Sequence, residues 1–131
     1  MGEANLSVLL KNISPSLADS EYVFCTISEE QFSSSELVPL CMFREKEGVT
    51  VIVRKSEADE KQLSYNGTWA WITCEVNSDL AAVGFMAAMS NRLAQAQIPT
   101  NPVSAFYHDH IFVPFDKAET SMRLLQGLSE Q

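Results

Sequence analysis

Apolar and polar residues alternate most clearly between residues 69 and 76, and this alternation predicts a half-buried strand. The two predicted faces are Ala70, Ile72, Cys74 and Val76 on one side and Trp69, Trp71, Thr73 and Glu75 on the other. Two further apolar runs, at 103–107 and 111–115, predict a hairpin around His108, Asp109 and His110. Apolar residues at helical spacing then predict a last helix at 117–128.

Between that strand and the hairpin, the pattern becomes helical. Asn77, Ser78 and Asp79 are typical helix-capping residues and Pro99 ends the pattern, so a helix is predicted at 80–97. Its apolar residues form two nearly opposite stripes: Leu80, Val83, Gly84, Ala87, Ala94 and Ile98 on one, and Ala82, Phe85, Met86, Met89, Leu93 and Ala96 on the other. Either both faces are buried, or the helix is rich in alanine with one broad core face. We take Val83 as a core residue, so Val83→Asp is expected to unfold the protein.

The first half of the chain shows a similar order after an initial helix at 6–13. Strands are predicted at 22–27, 40–44 and 49–53, the last two joined by a turn with Gly48. The polar segment 28–37 predicts one or two helical turns. Ser56 followed by Asp59 is a capping-box pattern and predicts a short helix toward Leu63.

The two halves therefore predict the same βαββα series in tandem, with a boundary in the turn at 65–68. We divide the chain into an N-terminal half, 1–65, and a C-terminal half, 66–131. Each unit is one strand short of the ferredoxin-like βαββαβ fold, an α+β class in which helices cover one face of an antiparallel sheet.

Composition and charge exclude several classes of function. The net charge of -8 disfavours nucleic acids and anionic membranes as partners. No apolar run is long enough to span a bilayer, and the first residues lack a signal-peptide pattern, so we expect a cytoplasmic protein. Cys25, Cys41 and Cys74 lie far apart in apolar runs, which favours three buried residues over a metal or redox motif.

Short stretches in both halves resemble the ACT domain, with the closest likeness to small stand-alone tandem ACT proteins and a more distant one to the regulatory ACT pairs of aspartokinases. In the second half these are DLAAVG at 79–84, LAQAQI at 93–98, and the region 103–113 with YHDH at 107–110. In the first half they are EYVF at 21–24 and FREKEGVT at 43–50. One departure is Gln97, which stands where regulatory ACT domains often have a Gly that ends the helix in the left-handed conformation.

This resemblance implies a regulatory domain without catalytic activity, in which an amino acid binds allosterically at the interface between paired ACT units. It implies no cofactor. The second apolar stripe of the 80–97 helix and the predicted tryptophan face indicate a homodimer.

The strongest candidate site is the sequence Asn77, Ser78, Asp79 and Leu80. A helix N-terminus there would bind the carboxylate of an amino acid, and Asp79 would bind its ammonium group. The alternative is that Ser78 or Asp79 only caps the helix. In the resemblance, this turn matches the ligand-contacting turn of the family, with Thr100, Asn101, Val103 and Ser104 beside it.

Metal binding and catalysis have weaker support. His108 and His110 could share a face of a strand and chelate a metal, but they lie at a turn and no further ligand is near in sequence. No nucleophile elbow, P-loop or GxGxxG motif is present. The sequence therefore favours a small-molecule sensor. A ligand-free interaction module is the alternative, and a small enzyme of unrecognised mechanism has least support.

Overall fold

The computed structural model describes residues 2–130. Its five α-helices are α1 (Leu6–Lys11), α2 (Glu29–Ser34), α3 (Lys55–Glu60), α4 (Phe85–Gln95) and α5 (Ala118–Gly127). Its six strands are β1 (Pro15–Ile27), β2 (Cys41–Arg44), β3 (Val49–Arg54), β4 (Trp69–Cys74), β5 (Asn101–Ser104) and β6 (Asp109–Pro114). Short 3-10 helices at Phe115–Lys117 and Leu128–Glu130 flank α5. This α+β series confirms the predicted fold class.

The contacts within the chain define two compact units. One is Ser20–Trp69, and the other comprises the described residues of Met1–Asp19 and Ala70–Gln131. The long strand β1 contributes residues to both. The predicted division between residues 65 and 66 stays a prediction.

In the Ser20–Trp69 unit, three antiparallel strands lie in the order β2-β3-β1. Cys25 of β1 pairs with Val51 of β3. Every second residue of these two strands faces the helices, and this face forms the core with Ala58 of α3: Val23, Cys25, Ile27, Val49, Val51 and Val53. Burial of this alternating set is the physical basis of the predicted strands. Tyr22 and Ile52, on the other face, are buried as well.

In the other unit, the strand order is β1-β4-β6-β5, and the first residues of β1 form the edge next to β4. The predicted βαββα series was one strand short of the ferredoxin-like fold. The part of β1 before Ser20 is that missing strand in this unit. The helix α1 also joins this core, since Leu9 is fully buried there together with Ile72 of β4 and Leu93 of α4. Ala70, Ile72 and Cys74 alternate inward as predicted.

The predicted start of the long helix was wrong. The helix α4 begins at Phe85 after Gly84, so Asn77, Ser78 and Asp79 do not cap it. Gly84 has φ +94, a left-handed conformation that glycine adopts readily and that breaks a helix. Residues 77–84 instead form a loop, which we call the 77–84 loop.

The core face of α4 is the second predicted stripe, since Phe85, Met89 and Leu93 are buried. The prediction that Val83 lies in the core was wrong, because Val83 is 82% exposed. Because the helix starts at Phe85, it has one buried face. Of the first predicted stripe, which ran from Leu80 to Ile98, only Ile98 is a core residue, and it lies beyond the end of the helix. The broad-core interpretation therefore fits the described residues.

Helix caps in the first half also differ from the prediction. Ser56 lies inside α3, which begins after Arg54 without a side-chain cap. The capping box belongs to α2, where Ser28 and Gln31 exchange side-chain-to-backbone hydrogen bonds of 3.0 Å. Both serines fit the same local pattern. Because β3 ends at Arg54 and α3 begins at Lys55, Ser56 is already the second residue of the helix and cannot be its N-cap.

Candidate functional site

Ser78, in the 77–84 loop, is held from two sides. Its hydroxyl donates a hydrogen bond of 2.8 Å to Oδ2 of Asp109, the first residue of β6. Its backbone N–H donates to the carbonyl of Tyr107 at 3.2 Å. Ser78 and Asp109 are only 5% and 8% exposed. The hydroxyl of Ser78 is therefore a structural partner of Asp109.

The backbone of the same loop pairs with Glu3. The Glu3 N–H donates to the Asn77 carbonyl at 2.8 Å, and the Asp79 N–H donates to the Glu3 carbonyl at 2.8 Å. Glu3 and Ser78 thus form a parallel bridge. The loop presents one backbone acceptor and one backbone donor on a single side.

Asp79 forms a tight turn with the residues that follow it. One carboxylate oxygen, Oδ1, accepts a hydrogen bond of 2.7 Å from the N–H of Ala81, and the Asp79 carbonyl accepts one of 2.9 Å from the N–H of Ala82. Such a side-chain turn is a common alternative to helix capping for aspartate. Leu80 follows with its side chain 64% exposed.

The predicted residues of β5 lie at two different distances from this loop. Ser104 pairs directly with Asp109 and Val103 with His110, close to Ser78. Asn101 pairs with Phe112, three residues further along, which corresponds to roughly 10 Å. Thr100 precedes the strand, and its hydroxyl donates to the Ile98 carbonyl at 3.2 Å. The structure therefore brings Ser104 and Ser78 near one carboxylate and places Thr100 and Asn101 toward the opposite end of β5.

Three residues at this loop were missed by the sequence interpretation. Asp109 was assigned to a turn, although the hairpin turn is at 105–108 and Asp109 already belongs to β6. Glu3 had no local signal, because its partners are more than seventy residues away. Gly84 was placed inside a helix, whereas a glycine directly before a run of helix formers could have indicated the interruption.

The start of α4 has no side-chain cap, and the Leu6 side chain lies beside it. Its N-cap is Gly84, which has no side chain to accept a hydrogen bond from the first turn. A shallow, open groove runs from Gly84 along the outer face of the helix past Ala87, Ser90, Asn91 and Ala94. Backbone N–H groups at an uncapped helix start attract carboxylates and phosphates.

The two histidines have separate partners. His110 accepts a hydrogen bond of 3.0 Å at Nδ1 from the Trp71 indole N–H, and the hydroxyl of Thr73 lies 3.0 Å from the same nitrogen. Because the indole can only donate, Nδ1 carries a lone pair and the ring proton lies on Nε2. The Nδ1 atom of His108 lies 3.4 Å from the carbonyl of Val76. Within residues 2–130, no group of three or more His, Cys, Asp or Glu side chains is arranged to hold a metal ion.

Burial controls the titration of the groups near the core. Burial, together with the charge of His108, lowers the pKa of His110 below its ordinary value of 6.5. Burial raises the pKa of the Cys74 thiol to about 12, with smaller contributions from Asp109 and Glu75. Burial also raises the pKa of Cys25. Raised thiol pKa values disfavour the reactive thiolate. Cys41, by contrast, is only half-buried, so the expectation of three buried cysteines holds for two of them.

A second concavity of about 530 Å³ lies between the first residues of β1 and the start of α5. Its lining includes the apolar side chains of Leu17 and Phe115 and the charged side chains of Asp19, Asp116, Glu119 and Arg123. No helix among the described residues is both long and apolar enough to cross a membrane.

Comparisons with known proteins agree with this fold. An ACT-domain family model matches residues 1–70, and a second ACT-domain model matches residues 64–127. None of the curated proteins matches the chain.

Among solved structures, a Vibrio cholerae protein of unknown function, described as a possible transport protein, is 36% identical over 95% of both chains, with a TM-score of 0.83. An Agrobacterium tumefaciens protein is 17% identical over 90% of both chains, with a TM-score of 0.67. The regulatory subunit of aspartate kinase from Thermus flavus is 10% identical over 88% of this chain and 96% of that one, with a TM-score of 0.67. The last two show the fold alone. The matches to both halves show that the chain belongs to the ACT-domain family, a family of regulatory ligand-binding domains.

Proposed function

We propose that this protein is a non-catalytic sensor that binds a free α-amino acid at the 77–84 loop. The main evidence is the pair of backbone hydrogen bonds between this loop and Glu3. The Asn77 carbonyl and the Asp79 N–H bind the N–H and the carbonyl of one residue, both at 2.8 Å. A free α-amino acid has an ammonium and a carboxylate on a single Cα and could satisfy the same two groups.

Nearby charges favour a zwitterion with this orientation. The carboxylate of Asp109 lies beneath the loop, and neither ion pair found in the described part of the chain involves it. It would attract the ammonium group on the Asn77 side. The uncapped start of α4, at the end of the loop, would attract the carboxylate. Of the predicted residues, Asn77, Ser78, Asp79, Leu80, Val103 and Ser104 form or border this region, whereas Thr100 and Asn101 would contact only a longer ligand side chain.

A homodimer is the assembly that we propose for this sensor. The side chains of Leu80 and Val83 are largely exposed beside the open groove on α4. Covering such apolar side chains is a common reason for association. A bound amino acid at the edge of this surface would then stabilise one arrangement of the dimer. Light scattering at micromolar concentration should give twice the mass of one chain, and a monomer would contradict the dimer.

A cytoplasmic location, supported by the free thiols Cys25, Cys41 and Cys74, is part of the same proposal.

A thermal-shift screen of the twenty amino acids and the common nucleotides tests the function directly. A ligand that binds only the folded state raises the melting temperature. Calorimetry on Asp79→Asn and Asp79→Ala then tests the site. Asn can still accept the hydrogen bond from Ala81, so Asp79→Asn should stay folded. A roughly ten- to hundredfold weaker affinity in this variant would mean that the Asp79 carboxylate holds the ammonium group in addition to the Asn77 carbonyl. Asp79→Ala should also lose stability. Equal affinity of wild type and Asp79→Asn would exclude direct binding by this carboxylate.

A ligand-free interaction module is the second candidate function. Phe106 and Tyr107 are exposed in the hairpin turn, whose Tyr107 carbonyl binds Ser78, so an apolar surface adjoins the 77–84 loop. If no amino acid or nucleotide raises the melting temperature at millimolar concentration, this function is favoured over the sensor.

A further inference from the structure

We propose that Gly2 and Glu3, which we call the strap, are an internal competitor for the amino-acid site. The inference rests on the proposed function and adds a form of regulation to it. In this structure, the groups that would bind the ammonium and carboxylate of a ligand are already occupied by the chain itself. A free amino acid must displace the strap before it can bind.

The first support is the match between Glu3 and an amino acid. Its N–H donates to the Asn77 carbonyl, as an ammonium group would, and its carbonyl accepts from the Asp79 N–H, as a carboxylate would. Both hydrogen bonds are 2.8 Å and both come from one residue. A ligand with a full positive and a full negative charge would form stronger hydrogen bonds at the same two positions.

The second support is the fit of Gly2 against the loop. A Cβ atom at Gly2 would lie 2.9 Å from Oδ1 of Asn77, 2.9 Å from the N atom of Asp79 and 2.9 Å from the carbonyl carbon of Ser78. Two of these three atoms are backbone and cannot move aside cheaply. The φ of Gly2 is +144, which side-chain-bearing residues rarely adopt. The strap therefore lies on the loop in a form that only glycine permits.

The third support is that the strap can leave without unfolding the unit. Helix α1 is anchored by the buried Leu9 and is capped by Asn5, whose Oδ1 accepts from the Val8 N–H at 3.2 Å. The Glu3 carboxylate also accepts hydrogen bonds from the N–H groups of Ala4 and Asn5, at 3.1 and 2.9 Å. Release moves the residues before Asn5 and exposes the Asn5 N–H to water, while Leu9 and the Asn5 side-chain cap stay in place. Because α1 stays in place, the released strap remains close to the loop at high effective concentration and can rebind when the ligand leaves.

Gly2→Ala tests the competition, with Gly67→Ala as the matched control. Gly67 also has a positive φ of +77, but a Cβ there meets no atom within 4 Å. The twenty α-amino acids are tested one by one on wild type and both variants, first by thermal shift and then by calorimetry. The apparent affinity is the intrinsic affinity multiplied by the fraction of sites that are free of the strap. For a strap that occupies about nine sites in ten, Gly2→Ala should therefore bind the active amino acid about tenfold more tightly than wild type, and Gly67→Ala should not.

Hydrogen exchange provides an independent measure of the strap itself. The Asp79 amide should exchange faster in Gly2→Ala than in wild type, while amides in α1 keep their protection. An unchanged exchange rate at the Asp79 amide would show that the strap does not cover this group, and it would overturn the proposal. An amino acid that binds wild type and Gly2→Ala equally would overturn the competition and leave the proposed function standing. If no amino acid binds either protein, the proposed function fails, and the competition fails with it.

Discussion

The hydroxyl of Ser78 donates a 2.8 Å hydrogen bond to the carboxylate of Asp109, and the two residues are 31 positions apart in the sequence. Both side chains are almost completely buried. A buried carboxylate is costly unless its oxygens are hydrogen-bonded, so this contact fixes the 77–84 loop against the start of β6.

We expect Ser78→Ala to lower the free energy of unfolding by about 1–3 kcal/mol, because it removes a hydrogen bond to a buried carboxylate. Ser129→Ala is the control, since its hydroxyl is exposed and bonds only within its own helical turn; we expect a change of about 0.5 kcal/mol or less. Urea unfolding measures both. In an Asp109→Ala background, the effect of Ser78→Ala should shrink, and full additivity would show that the two side chains are not coupled.

Val83→Asp should leave the protein folded, because the side chain is exposed in the 77–84 loop. Leu93→Asp should unfold it, since an unpaired carboxylate in the core costs several kcal/mol against a domain stability of roughly 5–15 kcal/mol. Circular dichroism and thermal melting distinguish the two. Light scattering on the folded Val83→Asp variant also tests the dimer, which the introduced charge should weaken. An unfolded Val83→Asp protein would contradict the position of this residue.

Stability should depend on the titration of His110 in mildly acidic solution. Since burial lowers its pKa in the folded state, the unfolded chain takes up the proton first as the pH falls below about 6.5. The contribution of the neutral His110 ring to the free energy of unfolding is therefore complete above pH 6.5. It is lost as the pH falls through the lower pKa of the folded state. NMR should show the His110 ring titrating below 6.5, and His110→Gln should flatten this part of the pH dependence. An unchanged profile in that variant would assign the effect to other groups.

Two serines with similar sequence contexts should respond differently to alanine. Ser28→Ala removes the N-cap of α2 and should cost about 0.5–2 kcal/mol of stability. Ser56→Ala changes a residue inside α3 and should alter stability by about 0.5 kcal/mol or less. Thermal unfolding of the two variants side by side gives the comparison, and equal losses would mean that the capping box of α2 contributes nothing specific.

Gln97→Gly should stabilise the end of α4. Gln97 has a left-handed φ of +59, and the N–H groups of Gln97 and Ile98 bond to the carbonyls of Ala94 and Leu93, a glycine-favouring helix end. We expect a gain of about 0.5–1 kcal/mol. Ala94→Gly, at an exposed position inside the helix, should instead lose about 0.5–1 kcal/mol. A loss in both variants would show that the glutamine side chain itself stabilises this turn.

Local patterns predicted the elements well where one face of a strand or helix is buried. The alternation around Ile72 identified β4, and the helical spacing around Leu125 identified α5. Boundaries were less accurate where a residue type has more than one local use. Asp79 can cap a helix or form a side-chain turn, and only the left-handed Gly84 decides between them here.

The sequence by itself determined the order of strands and helices, the inward face of β4 and the family, because these depend on short-range periodicity and short motifs. The tertiary structure decided where α4 starts, that the residues before Ser20 complete the second unit, and that Glu3 lies on Asn77 and Asp79. The physical reason is that backbone N–H and carbonyl groups are identical along the chain. Which of them pair is decided by the packing of distant segments, and no local pattern of side chains records it.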